Sequence, residues 1–128
     1  MPILLDTHTW VWSIDDEPRL TNKAVQAIES ADAIFVSPIT LFEICQKVRL
    51  GKWPEMNQHV GQLQHLLATQ NIALAQVTAN ISIQAGLLDW PHRDPFDRLI
   101  AATALVMGMD LISADPAFDG LPGLRRVW

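Results

Sequence analysis

Four acidic residues are the strongest candidates for chemistry in this sequence, although they lie far apart along the chain: Asp6, Glu43, Asp97 and Asp115. Four carboxylates that shared one cleft would repel one another strongly unless a cation lay between them. Ligand sets made only of oxygen suit Mg²⁺ or Mn²⁺, whereas Zn²⁺ commonly recruits His or Cys. The sequence therefore predicts a Mg²⁺ site, with Mn²⁺ as a second candidate ion, if the fold brings these four acids together.

Such a site is typical of two-metal phosphoryl transfer, in which one ion activates a water and the other stabilises the leaving oxygen. The formal net charge of −5 argues against a nucleic-acid substrate, because contact with phosphates usually needs a basic surface. Two divalent ions, with two positive charges each, would bring that net charge from −5 to −1. The excess of acid can therefore belong to the metal site itself.

Short apolar segments alternate with helical patterns along the chain. The short segments predict buried strands at residues 2–5, 33–36, 72–74 and 110–113, with an edge strand at 124–128. Helices are expected at residues 10–14, 21–30, 39–50, 57–70, 78–88 and 94–108. This alternation predicts an α/β fold of three layers, with a central, mostly parallel sheet of four to five short strands flanked by helices. We expect a single domain spanning residues 1–128.

The predicted sheet explains how the four acids can meet. Asp6 follows the first strand and Asp115 follows the fourth, while Glu43 lies on the helix after the second strand. Asp97 lies in the first turn of the helix that precedes the fourth strand. The carboxyl ends of parallel strands and the starts of the following helices lie along one edge of a sheet, so we expect the four side chains to converge there.

The segment 94–108 predicts one well-capped, largely buried helix. Asp94 is a favourable N-cap, Pro95 suits the first helical position, and Gly108 is the usual residue at a helix end. Asp97 has two interpretations at this point. It can form a capping pair with Asp94 that complements the helix dipole, or it can leave the helix start as a metal ligand.

Four segments, taken together, resemble the motifs of a PIN domain: Leu4–His8, Ser37–Ile44, Asp94–Ala102 and Leu111–Asp115. More narrowly, the chain resembles the ribonuclease toxins of VapBC-type toxin–antitoxin pairs, in the subgroup that carries Asp-Pro-Phe-Asp-Arg. The resemblance covers nearly the whole chain, and the four motifs occur in the family's order and spacing.

This resemblance implies a function and a set of partners. The acidic positions of the family correspond to Asp6, Glu43, Asp97 and Asp115, which would be the metal-binding and catalytic residues. It implies a Mg²⁺-dependent endoribonuclease that cleaves RNA with a metal-activated water and leaves a 5′-phosphate. A cognate antitoxin that blocks the acidic site and a homodimer of the toxin are also implied.

Residues next to the four acids have candidate supporting roles. Thr7 and Ser113 can orient carboxylates by hydrogen bonding or can belong to turns. Asp94 can act as a helix cap or as an additional ligand. Arg98 can contact phosphate or form an ion pair with the neighbouring Asp97.

Basic and aromatic residues near the predicted site are expected to be mainly structural. The basic end of helix 39–50, formed by Lys47, Arg49 and the following Lys52, is interpreted as a solvated face favoured by the helix dipole. Single histidines such as His8 and His92 are more often structural than functional. The five Trp residues are expected in the core or in an interface, and a subunit contact is expected around Trp10 and Trp12.

Composition indicates a cytoplasmic protein without a membrane partner. The longest apolar run, residues 99–109, is too short to cross a bilayer, and no signal peptide is expected at the N-terminus. A single Cys45 excludes an internal disulfide and fits a reducing compartment, and we expect this thiol in the core. Residues 15–18 are interpreted as a solvated acidic turn.

Two other functions are compatible with parts of the pattern. An aspartyl-phosphate phosphatase could use Asp6 as its nucleophile, but such enzymes carry a second acid two residues further on, where this chain has His8. A binding module without catalytic activity could use the same PIN-like scaffold. The presence of all four acids argues against a scaffold that has lost catalytic activity, although the sequence alone does not prove turnover.

Overall fold

The computed structural model describes residues 1–15 and 18–128, so Asp16 and Glu17 of the predicted acidic turn lie outside the described residues. Five short strands form one sheet with the order β3-β2-β1-β4-β5, and every neighbouring pair is parallel. The strands are β1 Ile3–Leu5, β2 Ile34–Val36, β3 Ala73–Leu74, β4 Asp110–Ile112 and β5 Arg126–Val127. The predicted α/β fold with a parallel central sheet is confirmed.

Six helices accompany this sheet: α1 Thr7–Ile14, α2 Asn22–Ser30, α3 Pro38–Arg49, α4 Leu63–Thr69, α5 Ala79–Leu87 and α6 Pro95–Met107. The prediction of one helix over residues 57–70 is wrong in its first half. That part consists of turns and a short 3₁₀ segment at residues 60–62, and the α-helix begins only at Leu63. No side chain caps the start of this helix. The polar residues before it also do not continue the apolar pattern of the helix into an earlier turn.

Alternation along β1 explains why helices cover both faces of the sheet. Ile3 and Leu5 lie in a core cluster with Trp10 of α1, whereas Leu4 lies in a second cluster with Ile100 of α6. Successive side chains of a strand point to opposite faces, so a continuous apolar strand needs a covering layer on each side. The result is the predicted arrangement of three layers.

The helix α6 is built as its sequence predicts at both ends. The Asp94 side chain accepts a hydrogen bond of 2.9 Å from the backbone N–H of Phe96, and Gly108 adopts a left-handed conformation with φ of 65°. The helix is fully buried only in its middle, because Val106 and Met107 are 42% and 44% exposed. The apolar sequence from Leu99 to Met107 predicts protein on both faces of the helix throughout, and this prediction is wrong for the last turn.

The prediction for Cys45 is also wrong, because its thiol lies on the exposed side of α3. Cys45 lies two positions from the buried Glu43, and residues two apart on a helix do not share a face. In the part of the chain that the structure describes, no helix is long and apolar enough to cross a membrane.

Candidate active site

The order in which strands are added to the sheet reverses at β1, in the centre of the sheet. From β1 the chain builds outward through β2 and β3, and it then returns to place β4 on the other side of β1. Ligands of open α/β sheets bind beyond the strand ends at such a switch point. A cavity of about 120 Å³ lies at this edge, and it is lined by all four predicted acids together with Asp94.

Asp6 follows β1 directly and is only 8% exposed. One of its oxygens accepts a hydrogen bond of 2.9 Å from the backbone N–H of Thr9, which caps α1. Burial raises the pKa of Asp6 above its usual value, and hydrogen bonds from Ser113 and Thr9 partly oppose that rise. Ser113 thus orients this carboxylate by hydrogen bonding, which is one of the two roles expected for it.

Glu43 lies in the second turn of α3 and is 4% exposed. A carboxylate is rarely buried to this extent unless it has a partner. Thr7 donates a hydrogen bond of 2.6 Å to its Oε1, and Lys47 Nζ lies 2.8 Å from its Oε2. The Thr7 hydroxyl also lies 3.0 Å from the hydroxyl of Thr40. These contacts fix the orientation of the Glu43 carboxylate.

Asp97 faces the cavity and is hydrogen-bonded to His92, with 2.7 Å between His92 Nε2 and Asp97 Oδ2. The His92 ring stacks on Trp90 at a centroid distance of 4.6 Å, so its position is fixed by packing. Burial raises the pKa of Asp97 to about 6, and the charges of Asp94 and Glu43 add to the rise while His92 opposes it. Asp94 caps α6 by accepting the hydrogen bond from Phe96 N–H, whereas Asp97 lines the cavity.

Asp115 is the fourth predicted acid that lines the cavity. It lies three residues after β4, and its side chain accepts a hydrogen bond of 2.9 Å from the backbone N–H of Ala117. Its own backbone N–H donates to Ser113 Oγ at 3.1 Å. Ser113 therefore contacts both Asp6 and the backbone of Asp115, which links the two strand ends.

The predicted ion pair between Arg98 and Asp97 is wrong. The five N–H groups of the Arg98 guanidinium donate to backbone carbonyl oxygens of the segment before α6, namely those of Ala85, Gly86, Leu88, Trp90 and His92. A guanidinium has five N–H donors, so this set accounts for all of them and leaves none for a carboxylate or a phosphate. Arg98 instead holds the connection between α5 and α6 in place, including His92.

The donor set of the cavity fits Mg²⁺ or Mn²⁺. The side chains of Asp6, Glu43, Asp97 and Asp115 offer only carboxylate oxygens, the ligands that hard divalent cations prefer. Two of these carboxylates are almost completely buried, which costs free energy that a bound cation offsets. One potential ligand atom from each of His92, Asp94 and Asp97 lies within 4.8 Å of the other two. Asp94 and Asp97 also line the cavity.

Three residues at the site, His8, Lys47 and His92, were not assigned to it from the sequence. Lys47, interpreted as part of a solvated face, lines the cavity and contacts Glu43. Its position four residues after Glu43 was the available signal, because residues four apart meet on a helix surface. His92 gave no such signal, since it lies in a loop whose path depends on the carbonyl contacts of Arg98.

We expect the contribution of Asp97 to the stability of the metal-free protein to fall as the pH rises from about 4 to about 6. Native Asp97 keeps its proton up to a pKa of about 6, whereas the usual value is 3.8, so in this window the native state binds more protons than the unfolded state. Thermal melting in EDTA across this range should show an Asp97→Asn variant gaining on the wild type as the pH rises. A difference between the two melting temperatures that does not change with pH would contradict the raised pKa.

A parallel five-stranded sheet with acids gathered at its switch point is the architecture of a PIN domain. The PIN domain family model matches residues 3–124, and the chain belongs to this family. A relative of the chain is ribonuclease VapC22 of Mycobacterium tuberculosis, which is 32% identical over 115 residues, or 88% of this chain and 86% of the relative. The resemblance to PIN domains inferred from the four motifs is confirmed, while the assignment to the Asp-Pro-Phe-Asp-Arg subgroup stays a prediction.

Solved structures share the fold at low sequence identity. The VapBC2 structure from Rickettsia felis, bound to a DNA fragment from its promoter, has a TM-score of 0.72, 23% identity and coverage of 98% of this chain and 97% of that chain. The DNA-bound VapBC structure from Salmonella typhimurium has a TM-score of 0.72, 20% identity and coverage of 98% and 96%. VapC20 of Mycobacterium tuberculosis, a toxin that cleaves the sarcin-ricin loop, has a TM-score of 0.58, 17% identity and coverage of 96% and 98%.

Proposed function

We propose that this chain is a Mg²⁺-dependent endoribonuclease and the toxin of a toxin–antitoxin pair. The observation that carries the proposal is the single cavity lined by Asp6, Glu43, Asp97 and Asp115 in a PIN domain. The relationship to ribonuclease VapC22 supports RNA as the substrate class. The antitoxin partner is proposed from the resemblance of the motifs to VapBC-type toxins.

The four acids would hold Mg²⁺, with Mn²⁺ as a substitute. A metal held there would supply Lewis-acid chemistry, namely activation of a water and neutralisation of charge on the leaving oxygen. The residues around the acids hold the carboxylates in place. Thr7 and Lys47 position Glu43, His92 positions Asp97, and Ser113 positions Asp6.

Several further properties belong to the same proposal. We place the protein in the cytoplasm, where a thiol such as the exposed Cys45 stays reduced. We also propose a homodimer, supported by exposed apolar side chains on α5 such as Ile83 and Leu87, which are 58% and 73% exposed. Of the two indoles expected at a subunit contact, Trp10 is fully buried and its indole N–H donates to Gln70, whereas Trp12 is half-buried.

The function is tested by incubating the purified chain with RNA in Mg²⁺ and in excess EDTA. We expect cleavage in Mg²⁺, its loss in EDTA, and its return when Mg²⁺ or Mn²⁺ is added back, because the acids repel the phosphate without a cation. An Asp6→Asn variant purified in the same way controls for contaminating ribonuclease. Undiminished cleavage by the wild type in excess EDTA would overturn the metal-dependent mechanism.

A further inference from the structure

One lysine lies on the wall of the cavity that the four acids line, and we call this space the carboxylate cavity. Among the residues that the structure describes, Lys47 is the only lysine or arginine that lines it. Its Nζ lies 2.8 Å from Oε2 of Glu43, one turn earlier on α3. The side chains of Lys47 and Glu43 are 32% and 5% exposed, so water screens their attraction only in part. The chain thus supplies one positive charge of its own to the carboxylate cavity.

A second contact holds the same ammonium group. Lys47 Nζ lies 5.4 Å from the centroid of the Trp53 ring, a distance at which a cation is attracted to the face of an indole. Trp53 is 8% exposed and packs in the core cluster, so its ring has a fixed position. Lys47 is therefore held between a buried carboxylate and a buried ring at the edge of the carboxylate cavity.

Both carboxylate oxygens of Glu43 have a partner within the protein. Oε1 accepts a hydrogen bond of 2.6 Å from the Thr7 hydroxyl, and Oε2 lies against the ammonium group of Lys47. A divalent cation on Glu43 would have to displace one of these partners or lie close to that ammonium group. Like charges repel strongly where protein partly excludes water, so Lys47 disfavours a divalent cation at Glu43.

The other three acids of the carboxylate cavity lack such a partner. In the described part of the chain, neither Asp6 nor Asp97 nor Asp115 forms an ion pair with a lysine or an arginine. Their oxygens suit a hard divalent cation as well as those of Glu43 do. A divalent cation therefore meets the least opposition among these three side chains.

The balance of charge favours one divalent cation over two. Four ionised carboxylates and the Lys47 ammonium together carry a charge of −3. One divalent cation brings this to −1, whereas a second would reverse its sign to +1. Phosphoryl transfer benefits from two positive centres, and a lysine can supply one of them as a point charge.

We propose that Lys47 supplies the second positive charge of the site, so that the RNA-free protein binds one divalent cation per chain. Asp6, Asp97 and Asp115 hold that cation, and Lys47 keeps its place beside Glu43. The proposal rests on the metal-dependent function proposed above, because it divides the positive charge of that site between an ion and a side chain.

The first test is the number of Mn²⁺ ions that the RNA-free wild-type protein binds. Protein freed of metal with EDTA and then of EDTA is titrated with Mn²⁺ by calorimetry, and free Mn²⁺ is followed by electron paramagnetic resonance. We expect one ion per chain. Arg49→Gln removes a positive charge from the exposed end of the same helix and should also bind one ion. Two ions of similar affinity on the wild type would overturn the proposal.

Variants of Lys47 give a second readout of the same quantity. Lys47→Gln should bind a second Mn²⁺, and the added substitution Glu43→Gln should abolish that second ion. Lys47→Arg keeps the charge and should bind one ion. If Lys47 only stabilises the fold, Lys47→Gln binds one ion as the wild type does, and the proposal is overturned. The wild-type number needs no variant, so it tests the proposal even if Lys47→Gln fails to fold.

RNA cleavage should depend on Mg²⁺ in a matching way. At low Mg²⁺ we expect Lys47→Gln to cleave about 100-fold more slowly than the wild type, as for the loss of one group that stabilises developing charge. Its rate should rise with about the second power of the Mg²⁺ concentration and recover in part, whereas the wild-type rate should rise with about the first power. Equal dependence on Mg²⁺ in the two proteins would contradict the role of Lys47.

The outcomes separate this proposal from the ribonuclease function. If the wild type binds one Mn²⁺ and Lys47→Gln binds two, but neither cleaves RNA, the ribonuclease proposal fails and the assignment of Lys47 stands. If the wild type cleaves RNA and binds two ions, the ribonuclease proposal stands and the assignment of Lys47 is overturned.

Discussion

An Asp97→Asn variant should lose essentially all ribonuclease activity and yet melt at the same or a higher temperature than the wild type in EDTA. Two carboxylates about 5 Å apart at an effective dielectric near 20 repel by roughly 3 kcal/mol, an upper figure for a cavity open to water and salt. Asn keeps the shape of the side chain and can accept the hydrogen bond from His92, which lies 2.7 Å from Asp97. The variant therefore removes charge repulsion without removing the contact.

The same variant should respond less to Mg²⁺. A ligand that binds only the native state raises the melting temperature, and the rise is larger for tighter binding; one carboxylate fewer should weaken the binding. Thermal melts of both proteins with and without Mg²⁺, beside one cleavage assay, measure this directly. An Asp89→Asn variant, at an exposed position before α6, is the matched control and should behave as the wild type. If Asp97→Asn keeps its Mg²⁺ response and its activity, Asp97 is not part of the site.

A Glu43→Gln variant should reduce turnover by about 100-fold or more, a larger loss than the roughly 10–100-fold typical of residues that only orient ligands. Gln keeps an oxygen for the Thr7 hydrogen bond, now 2.6 Å long, but it loses the negative charge that faces Lys47 and that would help to hold the proposed metal. RNA binding should change by only a few-fold, because the substitution keeps the size of the side chain and leaves the basic groups beside the cavity in place. The measurements are single-turnover cleavage and binding of uncleaved RNA in EDTA.

The matched control for Glu43→Gln is Glu29→Gln, which changes an exposed acid on α2. Loss of RNA binding in proportion to the loss of turnover would show that Glu43 acts through substrate affinity. Cleavage at the wild-type rate would remove Glu43 from the catalytic set.

Local patterns in the sequence predict the sheet and the positions of the four acids well. Strands β1 and β4 are apolar on both faces, which identifies them as central and places Asp6 and Asp115 at their carboxyl ends. The capping signals Asp94-Pro95 and Ser37-Pro38 fix the starts of α6 and α3. Each of these features depends on neighbouring residues only.

The features that the sequence did not predict depend on contacts between distant segments. Arg98 binds backbone carbonyls of a loop, and backbone atoms carry no sequence signal of their own. That loop in turn places His92 against Asp97. The exposure of Cys45 depends on which face of α3 the rest of the fold covers. Residues 57–62 do not join the α-helix although their sequence is compatible with one, because tertiary packing decides where α4 begins.

The most direct test of the central claim is to locate the metal. Crystals of the active protein grown with Mn²⁺ should show anomalous difference density in the cavity among Asp6, Asp97 and Asp115, and crystals of the Asp97→Asn variant should lose it or show it weakened. A preparation that cleaves RNA in Mn²⁺, but whose crystals place the ion only outside this cavity, would contradict the assignment of these carboxylates as the active site.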